Sequence, residues 1–294
     1  MRLIIVSGLS GPGKSVALHM LEDLDFYCID NIPAALLTSV ISEIIATHDS
    51  AYDRTAVGVD ARNRPADIDS MPQLVEKLRT DGVDCEVLFL HADDDILLKR
   101  YSETRRKHPL SGRKLSLREA IARERQLLAP IRETADLIID TTRTSVHELR
   151  DAVRSRIEQR AEGKLSLLFE SFGYKHGIPS DADFVFDVRC LPNPYWDLAL
   201  RPWSGRDGPV VDFLSQQDEV RKMLADITAF LESWIPAFKR SNRSYLTIAI
   251  GCTGGQHRSI YIVEQLARHF GASYEHVLTR HTELTTHSGN LFDA

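Results

Sequence analysis

Residues Gly8-Leu9-Ser10-Gly11-Pro12-Gly13-Lys14-Ser15 fit the phosphate-binding pattern G-x-x-x-x-G-K-[ST] at every fixed position. Gly8, Gly11 and Gly13 permit the tight bends that turn successive N–H groups towards an anion. Lys14 would set its ammonium against β- and γ-phosphate oxygens, and the Ser15 hydroxyl would take a place on Mg²⁺. A helix beginning near Gly13 would add the positive end of its dipole. These residues predict a nucleotide site, with Leu9, Ser10 and Pro12 supplying the rest of the loop.

A second stretch has the makings of an anion cradle. Gly251-Cys252-Thr253-Gly254-Gly255-Gln256-His257-Arg258-Ser259 follows an apolar run and precedes a helical pattern. Its Cys-x₅-Arg-Ser spacing is that of phosphatase loops, where N–H groups and an arginine hold phosphate around a sulfur. Gly254, Gly255, His257 and Arg258 are candidates for binding an anion. Cys252 is the weaker candidate, for a nucleophile: Gly251 precedes it and no general acid can be assigned.

The elements that must carry these loops follow from short apolar runs. Leu3–Val6, Phe26–Ile29, Ala56–Val59, Glu86–Leu90 and Ile138–Asp140 read as strands. Between them lie helical stretches: Lys14 to about Leu24, Pro33 to Thr47, Ile68 to Thr80, Asp94 to Lys107, and onward from Ser145. Strands alternating with helices predict βαβ units and a parallel sheet. Ligands of such sheets sit at the carboxyl ends of the strands, where Gly8, Asp30, Asp60 and His91 to Asp93 would converge. Asp60 is the expected acidic partner of Mg²⁺; Asp30 and Asp93 compete for that role, and any of the three could instead cap a helix.

Seven basic residues (Lys99, Arg100, Arg105, Arg106, Lys107, Arg113, Lys114) flank a break at His108-Pro109-Leu110-Ser111-Gly112, with Glu103 the one acid. This stretch suits either a kinase-type lid whose arginines meet phosphates or a plain solvated face. The polar stretch Arg156 to Lys164 marks the expected domain boundary, giving an N-terminal nucleotide domain over 1–155 and a second α/β domain over 163–294. In the second domain Leu165–Phe169, Phe184–Arg189 and Tyr245–Ile250 read as strands, and Ser215 to Phe238 as a helix. The prolines of Leu191-Pro192-Asn193-Pro194-Tyr195-Trp196 predict an extended loop.

Composition sets broad limits. Hydrophobic residues at 43% and charged residues at 27% are ordinary for a globular chain of 294 residues. The net charge of −6 gives no global attraction to nucleic acid, so RNA contact would need local basic patches. Cys28, Cys85, Cys190 and Cys252 form no C-x-x-C pair, which argues against a zinc site or a disulfide framework. With no apolar run of about 18 residues, the expectation is a soluble, cytoplasmic protein without a membrane role.

Several motifs together resemble one family: GLSGPGKS, FYCIDN, VDARN, RYSETRRKHPL, FESFGYKHG, DADFVFDVR with LPNP, and NRSYLTIAIGCTGG with HRS. The set, spread over nearly the whole chain, is similar to the RapZ/YvcJ family of P-loop nucleotide-binding proteins, the RNase adapter proteins. The resemblance implies a kinase-like N-terminal domain that binds ATP and GTP with weak hydrolysis, Gly8 to Ser15 being the ATP site. Asp60, Ala61, Arg62 and Asn63 would form a GTP-contacting segment. It also implies a C-terminal domain that binds small RNA and an amino-sugar phosphate, through Thr253, Gly254, Gly255 and Arg258. This chain departs from the adapter members in three places: Tyr195 stands where they carry histidine, Gln256 where they carry lysine, and Thr286 to Ala294 where they carry basic residues. Weaker RNA binding is the expected consequence.

The expected function is therefore a nucleotide-binding regulator with slow ATPase and GTPase activity, in which Lys14, Ser15 and Asp60 act with Mg²⁺. The alternative is an adapter that presents small RNA to an RNase under control of an amino-sugar phosphate. A small-molecule kinase and a Cys252 phosphatase are further readings, and self-association into a homo-oligomer is compatible with all of them.

Overall fold

The computed structural model describes residues 1–47, 49–104, 107–111, 115–158, 165–241 and 243–284. The chain divides into two compact units, Met1–Gln159 and Arg160–Ala294. Each is built on a sheet whose strand pairings are all parallel.

In the first unit the chain runs β1 (Arg2–Gly8), α1 (Lys14–Glu22), β2 (Tyr27–Ile29), α2 (Ala34–Thr47), β3 (Arg54–Gly58), α3 (Pro65–Asp69) and α4 (Met71–Thr80). It continues through β4 (Asp84–His91), α5 (Asp94–Thr104), α6 (Leu117–Leu127), α7 (Ala129–Glu133), β5 (Leu137–Asp140) and α8 (Val146–Glu158). The strand order is β2-β3-β1-β4-β5, so β1 is central. Every β1 residue is buried, as a strand covered by helices on both faces requires. Leu3 and Ile5 join a core that includes Val57, Val87, Phe89 and Ile121.

The second unit comprises β6 (Ser166–Gly173), β7 (Phe184–Asp187), α9 (Gly208–Ser215), α10 (Asp218–Arg240), β8 (Tyr245–Cys252), α11 (Arg258–Gly271) and β9 (Val277–His281). Its order is β7-β8-β6-β9. Phe169, Ile248, Ile250, Ile262 and Leu266 are fully buried in a core of their own. Arg280 of β9 forks onto Glu170 of β6 at 2.9 and 2.7 Å and reaches Asp181 at 2.9 Å. That charged knot sits where the strand pattern would call for an apolar residue.

The α/β architecture agrees with the sequence reading, while several boundaries do not. The helix expected over 94–107 ends at Thr104. The stretch read as one helix over 68–80 is two, because Pro72 begins a new turn after Ser70. The helix expected over 215–238 is α10, which starts three residues later at Asp218 and runs on to Arg240, and a separate helix that was not anticipated, α9, precedes it. The strand expected to end at Phe169 runs on to Gly173, carrying the buried polar residues Glu170 and Ser171. Helices α6 and α7 and strand β9 were not anticipated. Of the polar stretch 156–164, residues 159–164 lie outside the described residues, as do 285–294.

Candidate functional site

The phosphate loop leaves the carboxyl end of β1, with Gly8 paired to Leu90 of β4. Gly8 has φ of 138°, and a Cβ there would stand 2.2 Å from the Leu90 carbonyl oxygen. Gly8→Ala should therefore cost about 2–3 kcal/mol, since neither the backbone angle nor the neighbouring backbone can yield cheaply. Denaturant unfolding of the full chain would show the loss as a lower midpoint for the first transition.

Gly13 ends the loop in the left-handed region at φ 108°, packed so closely on Leu149 that a Cβ would meet its methyl at 2.5 Å. Helix α1 then starts at Lys14 with no acid in its first turn, leaving the positive end of its dipole uncompensated. The Lys14 ammonium donates to the carbonyls of Gly8 at 2.8 Å and Leu9 at 2.7 Å. Burial lowers its pKa, and the charges of Glu124, Asp60 and Asp30 oppose that shift without cancelling it. Ser15 is exposed in the same first turn.

Asp60, just beyond β3, is buried at 5% exposure. Its Oδ2 accepts from Arg62 Nε at 2.9 Å and Nη2 at 2.5 Å, and its Oδ1 from the Arg62 backbone N–H at 2.9 Å. Burial alone would raise the Asp60 pKa; the Arg62 hydrogen bonds and the nearby Lys14 charge bring it below the usual carboxylate range. Asn63 donates to the Asp60 carbonyl at 3.0 Å and accepts the Ala34 N–H at 2.6 Å, fixing the start of α2. Ala61 is buried beside them. Asp60 is thus the counter-ion of Arg62, and a cation bound to it would have to compete with a guanidinium. Asp30 is exposed, lies over Gly58, and acts electrostatically on both Lys14 and Arg62. Unlike Asp60, it is exposed and its oxygens are not held by Arg62. Asp93 instead stands just before α5, its carbonyl accepting from Leu97 N–H at 2.9 Å.

Among the described residues of the basic stretch, Arg100 reaches the loop. It donates to Gly11 O at 3.3 Å and to Thr141 through Oγ1 at 3.1 Å and the carbonyl at 2.6 Å. Lys99 and Lys107 are exposed, and Arg105, Arg106, Arg113 and Lys114 lie outside the described residues.

Sequence reasoning missed Glu124. This carboxylate is fully buried and accepts from the Ser10 N–H at 2.8 Å, from Ser10 Oγ at 2.6 Å and from the His108 ring at 3.1 Å. The available signal was its place on α6: Glu124 follows buried Ala120 and Ile121 at helical spacing, so a charge occupies a core position. Burial on its own would raise the Glu124 pKa, but hydrogen bonds from His108 and Ser10 and the Lys14 charge leave it below its ordinary 4.5. A carboxyl depressed by folding stabilises the fold above its unfolded value, and that contribution disappears as pH falls through the folded value. Thermal melts of wild type and Glu124→Gln should therefore differ by a constant gap above about pH 4.5 and converge below it, where the protonated acid resembles the amide.

In the second unit the loop Thr253–His257 joins β8 to α11. Cys252 is buried, its Sγ 3.2 Å from the Gly255 N–H and 3.2 Å from Ser259 Oγ. Arg258 is also buried. Its Nη1 donates to the carbonyls of Arg189 at 2.8 Å and Leu191 at 3.0 Å, and its Nη2 approaches Thr253 Oγ1 at 3.4 Å. Arg258 Nε and His257 Nε2 are buried without a hydrogen-bond partner. Burial lowers the His257 pKa, opposed by the carbonyls of Arg201, Trp203 and Leu200. Gly254 lies against Gly173, where a Cβ would come within 2.9 Å of its carbonyl carbon. The unsatisfied Arg258 N–H, the unpartnered His257 ring nitrogen and an uncapped helix start beside two adjoining glycines are suited to an anion. Gln256 and Tyr195 are exposed, with Arg201 4.6 Å over the Tyr195 ring.

Among the described residues, no helix is long and apolar enough to cross a membrane. Residues 1–161 match the RapZ-like N-terminal domain and residues 165–285 the RapZ C-terminal domain. A protein of Alkalilimnicola ehrlichii named "Nucleotide-binding protein" is 56% identical over 96% of this chain and 98% of its own length. One of the same name from Marinobacter nauticus is 54% identical over 97% of both chains. Among solved structures, shikimate kinase of Bacteroides thetaiotaomicron aligns with 53% of this chain and 98% of its own at 15% identity and a TM-score of 0.35, too low to carry any argument. Matched in both units and along nearly its whole length, the chain belongs to the RapZ family.

Proposed function

We propose that this chain is a nucleotide-binding regulatory protein that binds ATP and GTP with Mg²⁺ at the phosphate loop and hydrolyses them slowly. The observation that carries this reading is Lys14. Its partly buried ammonium is held on two loop carbonyls at the positive end of α1, where incoming phosphates would offset its desolvation. The names borne by the bacterial relatives support its nucleotide-binding part. Gly8 to Ser15 would bind ATP, with Lys14 on the β/γ-phosphates. Asp60, Ala61, Arg62 and Asn63 would form the GTP-contacting segment, in which Arg62 presents its guanidinium at 55% side-chain exposure. Ser15 and an acid at the strand ends, Asp60 or the more open Asp30, would hold Mg²⁺, which neutralises phosphate charge when bound. Slow turnover suits Asp60, whose oxygens are committed to Arg62 and so are poorly placed to orient a water.

A second reading rests on the orphaned Arg258 Nε and His257 Nε2. In it Cys252 to Arg258 bind an amino-sugar phosphate, and the protein presents small RNA to an RNase. RNA binding that weakens with salt and is lost on Arg258→Ala would support this reading.

Labelled γ-phosphate distinguishes the possibilities. Slow release as free phosphate from wild type, and none from Lys14→Ala, supports the nucleotide regulator. Label moving onto a metabolite would identify a kinase and overturn it. Phosphatase activity lost in Cys252→Ser would point to the thiol.

A further inference from the structure

A charged carboxylate withdrawn from water costs several kcal/mol unless donors surround it, so its placement calls for a reason. Glu124 is fully buried, as is the His108 side chain bonded to it. Its three donors come from two segments far apart in sequence. Two belong to Ser10, the third residue of the phosphate loop, and one to His108, in the turn that interrupts the basic stretch. That turn is itself organised around His108. The Leu110 N–H donates to His108 Nδ1 at 3.1 Å, and Ser111 Oγ donates to the His108 carbonyl at 2.8 Å. The helix presenting Glu124 is fixed at both ends. Ser116 and Glu119 form a reciprocal cap at its start. Arg125, next to Glu124, bonds Asp94 at 2.5 Å and lies 3.3 Å from His91 Nδ1 at the end of β4. Glu124 cannot shift without moving one of these anchors.

We propose that Glu124 is a positioning residue of the nucleotide site, which fixes the curvature of the phosphate loop through Ser10 and makes that curvature depend on the turn at His108. This rests on the phosphate loop being the nucleotide site. Because one carboxylate serves both segments, a movement of the His108 turn changes the acceptor available to Ser10, and any change at Ser10 is felt at His108. Glu124 is also the leading opposite charge supporting the Lys14 ammonium, so it acts on the loop at two points.

The test combines nucleotide titration, using a fluorescent ATP analogue, with amide hydrogen exchange of the 1–17 segment in nucleotide-free protein. Glu124→Ala should weaken nucleotide binding about tenfold or more, the worth of a charge-assisted bond to the loop, and should accelerate exchange in the loop. Glu124→Gln keeps an acceptor for the Ser10 N–H, and should restore affinity to within about threefold. His108→Ala should weaken binding in the wild-type background and have no further effect in Glu124→Ala, because its path to the loop is already gone. Equal effects of His108→Ala in both backgrounds would overturn the proposal, as would unchanged loop exchange in Glu124→Ala. Should Glu124→Ala fail to fold, the same cycle run with Glu124→Gln and Ser10→Ala decides the matter. Lys14→Ala separates the two levels of the argument. If wild type and Lys14→Ala bind nucleotide equally, the assignment of the nucleotide to the phosphate loop fails, while loop exchange in Glu124→Ala still decides whether Glu124 holds the loop.

Discussion

Lys14→Ala should lose about 100-fold or more in affinity for both ATP and GTP, and should release no labelled phosphate. The estimate follows from removing one partner of a desolvated charge pair, which costs roughly 2–5 kcal/mol, or about 1.4 kcal/mol per tenfold in Kd. The fold should be little affected. In the nucleotide-free protein the ammonium is satisfied by the Gly8 and Leu9 carbonyls, while burial disfavours its charge. Removing it leaves two loop carbonyls without that donor and also removes a desolvated ion, and these effects oppose each other. A thermal melt within a few degrees of wild type, together with lost binding of a fluorescent nucleotide, is the expected pair of results. Lys14→Arg should not rescue, because a planar fork cannot occupy the place of a compact ammonium between two carbonyls. Full affinity in Lys14→Ala would show that nucleotide binds elsewhere.

The second large effect is expected at Arg258, on stability and binding together. Its Nη1 satisfies the carbonyls of Arg189 and Leu191, which lie beyond β7. Arg258→Ala leaves both without that donor, at about 1–3 kcal/mol each where water cannot replace it. The second unit should melt about 10 °C or more below wild type, and binding of inorganic phosphate, followed by calorimetry, should vanish. Lost binding could then be blamed on lost structure, so His257→Ala supplies the contrast. Its Nε2 makes no hydrogen bond, and the ring has only the nearby carbonyls of Leu200, Arg201 and Trp203 to lose. That variant should weaken phosphate binding with a much smaller drop in melting temperature. Phosphate bound equally well by both variants would sink the anion reading of this loop.

What the sequence revealed was local. The apolar run of β1, the glycines at fixed spacing and Lys14 lie within fifteen residues, and each acts through its immediate neighbours. The strand–loop–helix at Gly251 to Ser259 was legible for the same reason. Asp60 was legible as a strand-end acid, but its pairing with Arg62 two residues on depends on a turn that no periodic pattern announces. Glu124 was hidden more deeply. Between Arg123 and Arg125 it looks like part of a solvated face, and only the burial of Ala120 and Ile121 shows that it points inward. Strand β9 escaped because Thr279, Arg280 and His281 are polar, and the buried carboxylates that accept Arg280 lie far away in sequence. The strand ending of β6 was cut short for a related reason: Glu170 and Ser171 read as loop until their partners on β9 are known.

The order of strands has a consequence for how the chain is made. In each unit an inner strand comes first, and its neighbours come much later. Ile5 waits for Val57 on one side and Val87 on the other, and Phe169 for Ile248 and Thr279. Parallel pairing of this kind closes long loops before any contact repays them, and so it is slow and exposes apolar strands during synthesis. A nascent chain therefore carries β1 unpaired while dozens of further residues leave the ribosome. Gly8 takes its positive φ against the backbone of Leu90. The segment translated first thus acquires its working shape only after β4 has emerged, and an arrest before that point would leave a nucleotide loop with its full sequence and no cradle.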